Sequence, residues 1–383
     1  MRLRVATLNV WGVPILAERL GARMREIGRR LAGLALDAIG FQEVWTPAAR
    51  RALIAAGADA GLVYPWHRRR WMFGSGLLVL SRLPIDEVRF HRFSLRAGAS
   101  ERIEWLGGKG CAELVLRTPA GPVALLDTHL HAGTAREGEL GARALRIAQI
   151  VELAGRVRVR TEPVLVLGDL NCQDGDPEHE VLRGLTALRD LAAEVGSRLP
   201  TAIHDNPYRI GSSKGDRRID YAWARDGERL ALRPVSVERV FDESFSIDGR
   251  PAACSDHAGV LAELEIAPAE RSGRAAADVA ALDLASRLLG EGARDARRAR
   301  RTERTEAGIG LAAAALAMTG RRAAPLCRRA LLRGALTLGA LAALAPSLES
   351  SISSEWFAPS EIGAFARAKA LLAGMRAESV DPN

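Results

Sequence analysis

The stretch VLVLGDLNCQDGDPEH, Val164 to His179, decides how the chain is read. Its apolar run, Val164 to Leu167, reads as a buried strand that passes Gly168 and stops at Asp169 and Asn171. Alternation along a strand puts residues i and i+2 on one side. Asp169 and Asn171 therefore face one point just where the strand ends, a place to hold a metal, a phosphate or a water.

Other stretches end in the same way. Leu3 to Val10 alternates as a strand and carries Asn9 at its end, Ala38 to Phe41 runs into Gln42 and Glu43, and Val123 to Thr128 leads into His129. Gly76–Leu80, Ile219–Ala224 and Ala258–Ile266 read as further strands, and Ala112–Leu116 forms a hairpin with Val123–Thr128 across Thr-Pro-Ala-Gly-Pro. Leu20, Met24, Ile27, Leu31 and Leu34 lie at helical spacing and predict a helix over Arg19–Leu36; Gly141–Leu153 predicts another. Many strands with few helices between them imply an α/β protein with two packed sheets and outer helices, ending near Ile266. Polar residues gathered at strand ends along one edge are how such folds build a site.

With 383 residues the chain has room for two or three structural units, and 48% apolar residues are ample for a core. The formal charge is +8, yet Lys occurs only at Lys109, Lys214 and Lys369, so the surplus is Arg in a chain also rich in Ala and Gly. That bias makes basicity a weak argument for nucleic acid or an anionic membrane. It makes each Lys a more informative choice. Cys111, Cys172, Cys254 and Cys327 form no CxxC pair, which argues against a disulfide scaffold or a zinc site and for a reducing compartment. MRLRVATLNVWG contains no long apolar run of the Sec-signal type, and the expected location is cytoplasmic.

After Ala267 the texture changes to Ala and Arg. Ala275–Arg304 reads as an amphipathic helix ending in ARDARRARRTER; apolar stretches follow at Gly308–Met318 and Gly334–Pro346, separated by GRRAAPLCRRALLR, and Glu355–Met375 closes the chain.

Singly, the polar residues have plain structural readings. Asn9 can cap a turn, Glu43 can be a surface carboxylate, and His257 in CSDHAGV can sit in a loop. Of His129 and His131 in DTHLHA, one faces the site and the other solvent. His67, His91, His179 and His204 read as structural or exposed. Together, LNVWG, FQEVW, DTHLHA, GDLN, RRIDYAW and SDHAG appear in an order that resembles the endonuclease/exonuclease/phosphatase superfamily of metal-dependent phosphodiesterases, from Leu3 to about Glu265.

The resemblance implies a four-layer α/β/β/α sandwich, DNase I-like, over residues 1–266, with 267–383 as an all-α Ala/Arg-rich tail. It implies Glu43 as the metal-binding carboxylate with Asn9 beside it, and Asp256 as a further acidic residue next to the metal. Asp169 and Asn171 then hold the attacking water and the phosphate, His129 and His257 are the catalytic histidines, and Asp220 orients His257. The chemistry of these residue types agrees. Mg²⁺ takes oxygen ligands, one or two carboxylates with waters and a substrate phosphate, and Mn²⁺ suits the same set. A histidine titrating near neutrality can take a proton from water, and a carboxylate on its other nitrogen fixes the tautomer. The implied mechanism is in-line attack by a water deprotonated by His257.

LNVWGVP and EWLGGKGCAEL are similar to neutral sphingomyelinases and point to a phospholipid substrate cleaved in the phospholipase C sense. Lys109 then reaches the substrate phosphate or the lipid surface; the plain reading is an exposed Lys in a Gly-rich hairpin loop. The layout of basic helix and apolar segments also resembles membrane-bound members. Each apolar stretch of about 13 residues or fewer is about 20 Å long as a helix, short of a hydrocarbon core of roughly 30 Å. The flanking arginines also oppose a spanning hairpin under the positive-inside rule. The expectation is a tail lying at the interface, peripheral at the inner membrane face, against a soluble hairpin packed on the catalytic domain. The rivals are an Mg-dependent nuclease of the same superfamily, with Arg68-Arg69-Arg70-Trp71 as a candidate contact strip, and a catalytically inactive membrane-binding protein.

Overall fold

The computed structural model describes residues 1–14, 16–68, 74–95, 108–133, 138–210, 215–269, 276–323 and 330–380. Arg69 to Trp71, Trp105 to Gly107, Lys214 and Cys327 lie outside the described residues.

Two six-stranded mixed sheets carry the chain. The first has the order β11 (Leu230–Val240), β14 (Gly259–Pro268), β1 (Arg2–Asn9), β2 (Ala38–Gln42), β4 (Leu78–Ser81), β3 (Tyr64–His67). The second has the order β5 (Ile85–Arg92), β6 (Gly110–Thr118), β7 (Gly121–His129), β8 (Val164–Asp169), β10 (Asp220–Arg225), β9 (Arg189–Asp190). A small hairpin, β12 (Phe245–Ile247) and β13 (Arg250–Ala252), stands apart. One strand pair in each sheet is parallel, β1 with β2 and β7 with β8.

Helices cover both outer faces. Residues from α1 (Leu20–Leu34) and α2 (Pro47–Asp59), such as Met24, Ile27, Leu31 and Leu53, pack with Ala6, Leu8 and Phe41 of the first sheet. On the second sheet lie α3 (Gly138–Arg158) and α4 (Pro177–Thr186), and the one-turn α5 (Leu191–Glu194) follows β9. The four layers and the β6–β7 hairpin agree with the sequence expectation.

The quoted stretch explains itself here. Val164 and Val166 join the cluster under the outer helices, while Leu165 and Leu167 join the cluster between the sheets. A strand buried on both faces reads as a continuous apolar run. Period two then carries the inter-sheet face from Leu165 and Leu167 to Asp169, from Leu3 and Val5 to Thr7 and Asn9, and from Leu125 to Asp127 and His129. Between the sheets the fill is apolar at one end and polar at the other. Midway, Gln42 Nε2 donates to Asp127 Oδ1 at 2.6 Å and exchanges hydrogen bonds with Thr7 Oγ1, tying the sheets together. Gly40 makes room for this link: a Cβ there would lie 2.4 Å from Asp127 Oδ1.

The C-terminal region differs from the sequence expectation. α6 runs unbroken from Val279 to Ala323, with no interruption between Arg304 and Gly308: Thr302 to Gly310 contains no proline, and its two glycines weaken a helix without breaking it. α7 (Ala330–Ile352) returns along it, and a π-helical turn, Ser353–Phe357, leads into α8 (Ala358–Val380). Leu282, Leu289, Phe365 and Leu372 belong to the same buried cluster as Ile147 and Val151 of α3, so parts of α6 and α8 complete the outer layer. Farther along, Ile309, Leu316, Leu338, Leu341 and Trp356 are exposed, Trp356 by 80%. Among the described residues no helix is long and apolar enough to cross a membrane.

Candidate active site

Five strand ends meet at the polar edge. Register places His129 beside Asp169 on β7–β8, Asp220 beside Asp169 on β10–β8, and Asn9 beside Gln42 on β1–β2. Asn9 Nδ2 then bridges the two sheets, donating to Asp169 Oδ2 at 3.0 Å and to Glu43 Oε1 at 3.1 Å. Its Oδ1 accepts the Trp11 amide at 2.9 Å, which fixes the carboxamide orientation.

Glu43 is one residue past the inter-sheet position Gln42, so strand alternation alone would aim it away. A left-handed backbone, φ +61°, returns it to the site, and Asn171 (+52°) and Trp11 (+46°) adopt the same region. Non-glycine residues held there are strained, and such strain gathers at functional sites. Gly168 has a different necessity. Its φ is +138°, and a Cβ would fall 1.9 Å from the Thr128 carbonyl oxygen.

His257 Nδ1 and Asp220 Oδ2 are 2.9 Å apart, and Thr201 Oγ1 donates to the same Asp220 oxygen at 2.6 Å. Asp169 Oδ2 is 4.0 Å from His257 Nδ1, and Asp256 Oδ1 is 3.9 Å from His257 Nε2. On the other side, Lys109 Nζ (3.1 Å) and Asn171 Nδ2 (3.3 Å) both approach His129 Nε2. Both also donate to the Leu130 carbonyl. Two donors on one ring nitrogen make Nε2 an acceptor, assigning a neutral imidazole with its proton on Nδ1.

Burial raises Glu43 above the usual carboxylate range, against the lowering effect of the Asn9 bond. Burial, then the Asp220 charge, push Asp169 up to about 7. For His257, burial alone would favour the neutral ring, but Asp220, Asp256 and Asp169 outweigh it and hold the imidazolium well above the usual histidine value.

The donor set fits a hard divalent ion. Glu43 Oε2 is buried and has no hydrogen-bond partner, an uncompensated anionic oxygen that an Mg²⁺ ion would satisfy. Asp169, Asp220 and His257 also lie within 4.8 Å of one another. The short His257–Asp220 bond suits that trio to hold a proton, because an ion there would have to displace it.

Every candidate site residue from the sequence lies at this edge, with two expectations corrected. Lys109 is 3% exposed and beside His129, so it neither reaches a lipid surface nor sits as a solvated loop lysine. His131 does not face solvent; it is fully buried and its amide is bonded to Gln149 of α3. In the strip considered for nucleic acid, Arg68 lies 4.2 Å over the Phe90 ring. Three supporting residues were not singled out from the sequence. Thr201 holds Asp220. Ser255 Oγ donates to the Asn9 carbonyl at 2.6 Å. Arg23, fully buried, donates to the carbonyls of Val10, Trp11, Glu18 and Cys254, joining the loop after Asn9 to the loop before Asp256. Ser255 opens the SDHAG motif, whereas Thr201 and Arg23 lie outside every motif.

The chain is similar to a putative neutral sphingomyelinase of Drosophila melanogaster, 28% identical over 275 residues, covering 70% of this chain and 61% of that protein. It is also similar to an inositol phosphosphingolipids phospholipase C of Saccharomyces cerevisiae, 28% identical over 230 residues, covering 52% and 48%. It thus spans less than two thirds of either relative. Solved structures with a like fold include D. rerio TDP2 complexed with a single-strand DNA product (TM-score 0.56, 17% identity, 69% of this chain and 99% of that one). Another is a beta toxin mutant of Staphylococcus aureus with bound magnesium ions (0.51, 18%, 68% and 99%). The sequence profile of the Endonuclease/Exonuclease/phosphatase family matches residues 6–257, a span that contains Asn9, Glu43, His129, Asp169, Asp220 and His257. The chain belongs to that family.

Proposed function

We propose that this chain is a metal-dependent phosphodiesterase that hydrolyses a phospholipid in the phospholipase C sense, releasing the phosphorylated headgroup from the lipid alcohol. The observation that carries the reading is the His257–Asp220 pair at 2.9 Å beside Asp169, which Asn9 joins to Glu43. The similarity to sphingolipid-cleaving relatives supports the substrate class.

Glu43 and Asp256 would hold Mg²⁺, with Asn9 orienting Glu43; the ion would supply positive charge against the phosphoryl oxygens. His257 acts as the base in its neutral form, taking the proton of the attacking water at Nε2; because Asp220, Asp256 and Asp169 favour the imidazolium, that form needs alkaline pH or positive charge bound beside those carboxylates. Asp220 holds the ring through Nδ1 and stabilises the imidazolium, and Thr201 holds Asp220. Asp169 orients the water. Asn171 and the Lys109 ammonium donate to the phosphoryl oxygens, where fixed donors stabilise developing charge. The Lys109 ammonium, held against the acceptor Nε2 of His129, gives one N–H proton to the departing alkoxide and becomes the neutral amine.

The tail places this centre at a lipid surface. Support comes from the exposed apolar side chains of α6 and α7 and from Trp356, set among arginines. Leu338→Glu with Trp356→Glu weakens binding to anionic liposomes while leaving turnover in detergent micelles unchanged; equal liposome binding removes the tail from the reading.

The test of activity is a substrate panel with Mg²⁺. Sphingolipids and glycerophospholipids in mixed micelles should release water-soluble phosphorylated headgroups. Cleavage of plasmid DNA without lipid turnover makes the chain a nuclease. Liposome binding with no turnover of either makes it an inactive membrane-binding protein.

A further inference from the structure

Two arginines beside the site are used neither by the fold nor by the mechanism. Arg209 Nη1 is 3.9 Å from Asp256 Oδ2, and the other oxygen of that carboxylate is 3.9 Å from His257 Nε2. Asp256 therefore stands between Arg209 and the base, and Arg209 lies one carboxylate outward. Arg217 is fixed by paired backbone bonds with Ala202, 2.9 and 3.0 Å, and its charge is felt by Arg209, Asp169, Asp220 and Asp256. Burial, then the like charge of Arg209, lower its pKa. The Nε of each arginine is buried without an acceptor, and among the described residues none accepts a hydrogen bond from the Arg217 side chain.

Two arginines thus stand on the Asp256 side of the site, Arg209 in a 3.9 Å pair with that carboxylate, and the buried Nε of each lacks an acceptor that a ligand could supply. The scissile phosphate has its own donors in Asn171 and Lys109, which converge with His129 on the β7–β8 side. What the arginines meet is the group beyond it. A quaternary ammonium offers no acceptor oxygen and adds a third positive charge. A polyol ring or an added anion offers oxygens that a guanidinium binds two at a time.

We propose that Arg209 and Arg217 form a headgroup subsite selecting phosphodiesters whose headgroup presents acceptor oxygens, such as inositol, over those ending in a quaternary ammonium. The assignment deepens the phospholipid reading and rests on it for the biological use of the subsite. The test is calorimetric titration of the full chain in excess Mg²⁺ with inositol 1-phosphate and with phosphocholine. The wild type should bind inositol phosphate about tenfold more tightly, as expected for charge-assisted bonds. In Arg209→Met and Arg217→Met the ratio should fall toward one through loss of inositol phosphate affinity alone. Equal wild-type affinities, preference for phosphocholine, or parallel losses of both ligands would overturn the subsite; parallel losses would assign the arginines to the shared phosphate. The wild-type ratio decides even where a variant misfolds. Turnover of ceramides bearing the two headgroups provides the separate arm. If neither these nor glycerophospholipids are cleaved, the phospholipase reading falls, while the binding ratio still decides the subsite.

Discussion

Two clusters in this chain look alike and differ in one residue. Asp169, Asp220 and His257 bring two carboxylates and an imidazole within 4.8 Å, and so do Asp174, His179 and Asp190. In the second cluster Arg218 donates to both Asp174 and Asp190. Burial pushes Asp190 up, but the bonds from His179 and Arg218 outweigh it and hold it well below the usual range. Among the described residues no arginine is hydrogen-bonded into the first cluster, and Asp169 rises to about 7. The second cluster has its counter-charge built in and is a finished ion-pair network. The first has a deficit of positive charge, which a proton taken from a reacting water can fill. Charge balance, more than residue type, separates a site from a scaffold.

That contrast can be broken by the paired histidines. His257→Ala should lower kcat/KM by about 10²–10⁴-fold, the range for losing a general base, with the folded state retained. His179→Ala should leave turnover at the wild-type level and affect only stability. Turnover assays beside circular dichroism melts check both, and equal activity losses would erase the distinction.

The next effect falls on stability. Arg218→Met leaves Asp174 and Asp190 facing one another without their cation and should destabilise by about 3–5 kcal/mol, measured by urea unfolding. Adding Asp190→Asn should recover part of the loss. An unchanged unfolding midpoint would show that Arg218 is not the counter-charge.

Smaller, and opposite in sign, are the pH signatures. Asp169 has a folded value above its unfolded one, so the folded protein holds more protons between about 4 and 7. Metal-free stability from this group is full below about 4 and is lost as pH rises through that window, by at most about 1.4 kcal/mol per pH unit. Asp190 is depressed, so its contribution is present above about 4 and is lost on acidification. Mg²⁺ should stabilise more as pH rises, because ligand carboxylates must shed protons to bind it. Melting curves of Asp169→Asn and Asp190→Asn should each remove one limb. A stability that ignores pH between 4 and 7 would sink the account of Asp169.

How far the sequence could be read follows from the same physics. Asp169, Asn171, His129 and Asn9 were legible because strand period two and an abrupt end to an apolar run leave few places for a side chain to point. Gln42 and Asp127 obey the same period but were passed over, since a buried polar pair between sheets leaves no mark unless the register is known. Glu43 was legible through its motif alone, because its aim depends on a left-handed backbone that strand alternation contradicts. Thr201, Ser255 and Arg23 act on backbone or carboxylates far away in sequence, so only the fold reveals them. The exposed, irregular strand β5 and the long β11 with Pro234 lacked a clean alternation. In the tail, composition could not tell Leu282 and Leu289, which are buried, from Ile309 and Leu316, which are exposed on the same helix.

The direct test of the centre as a whole is a magnesium titration of phosphodiester turnover for the wild type and Glu43→Gln after exhaustive chelation. Saturable activation that shifts to at least about tenfold higher Mg²⁺ in the variant, with folding retained, is the predicted result. Full activity of the wild type in chelator, or identical titrations for both proteins, would contradict a metal-supported site built on Glu43.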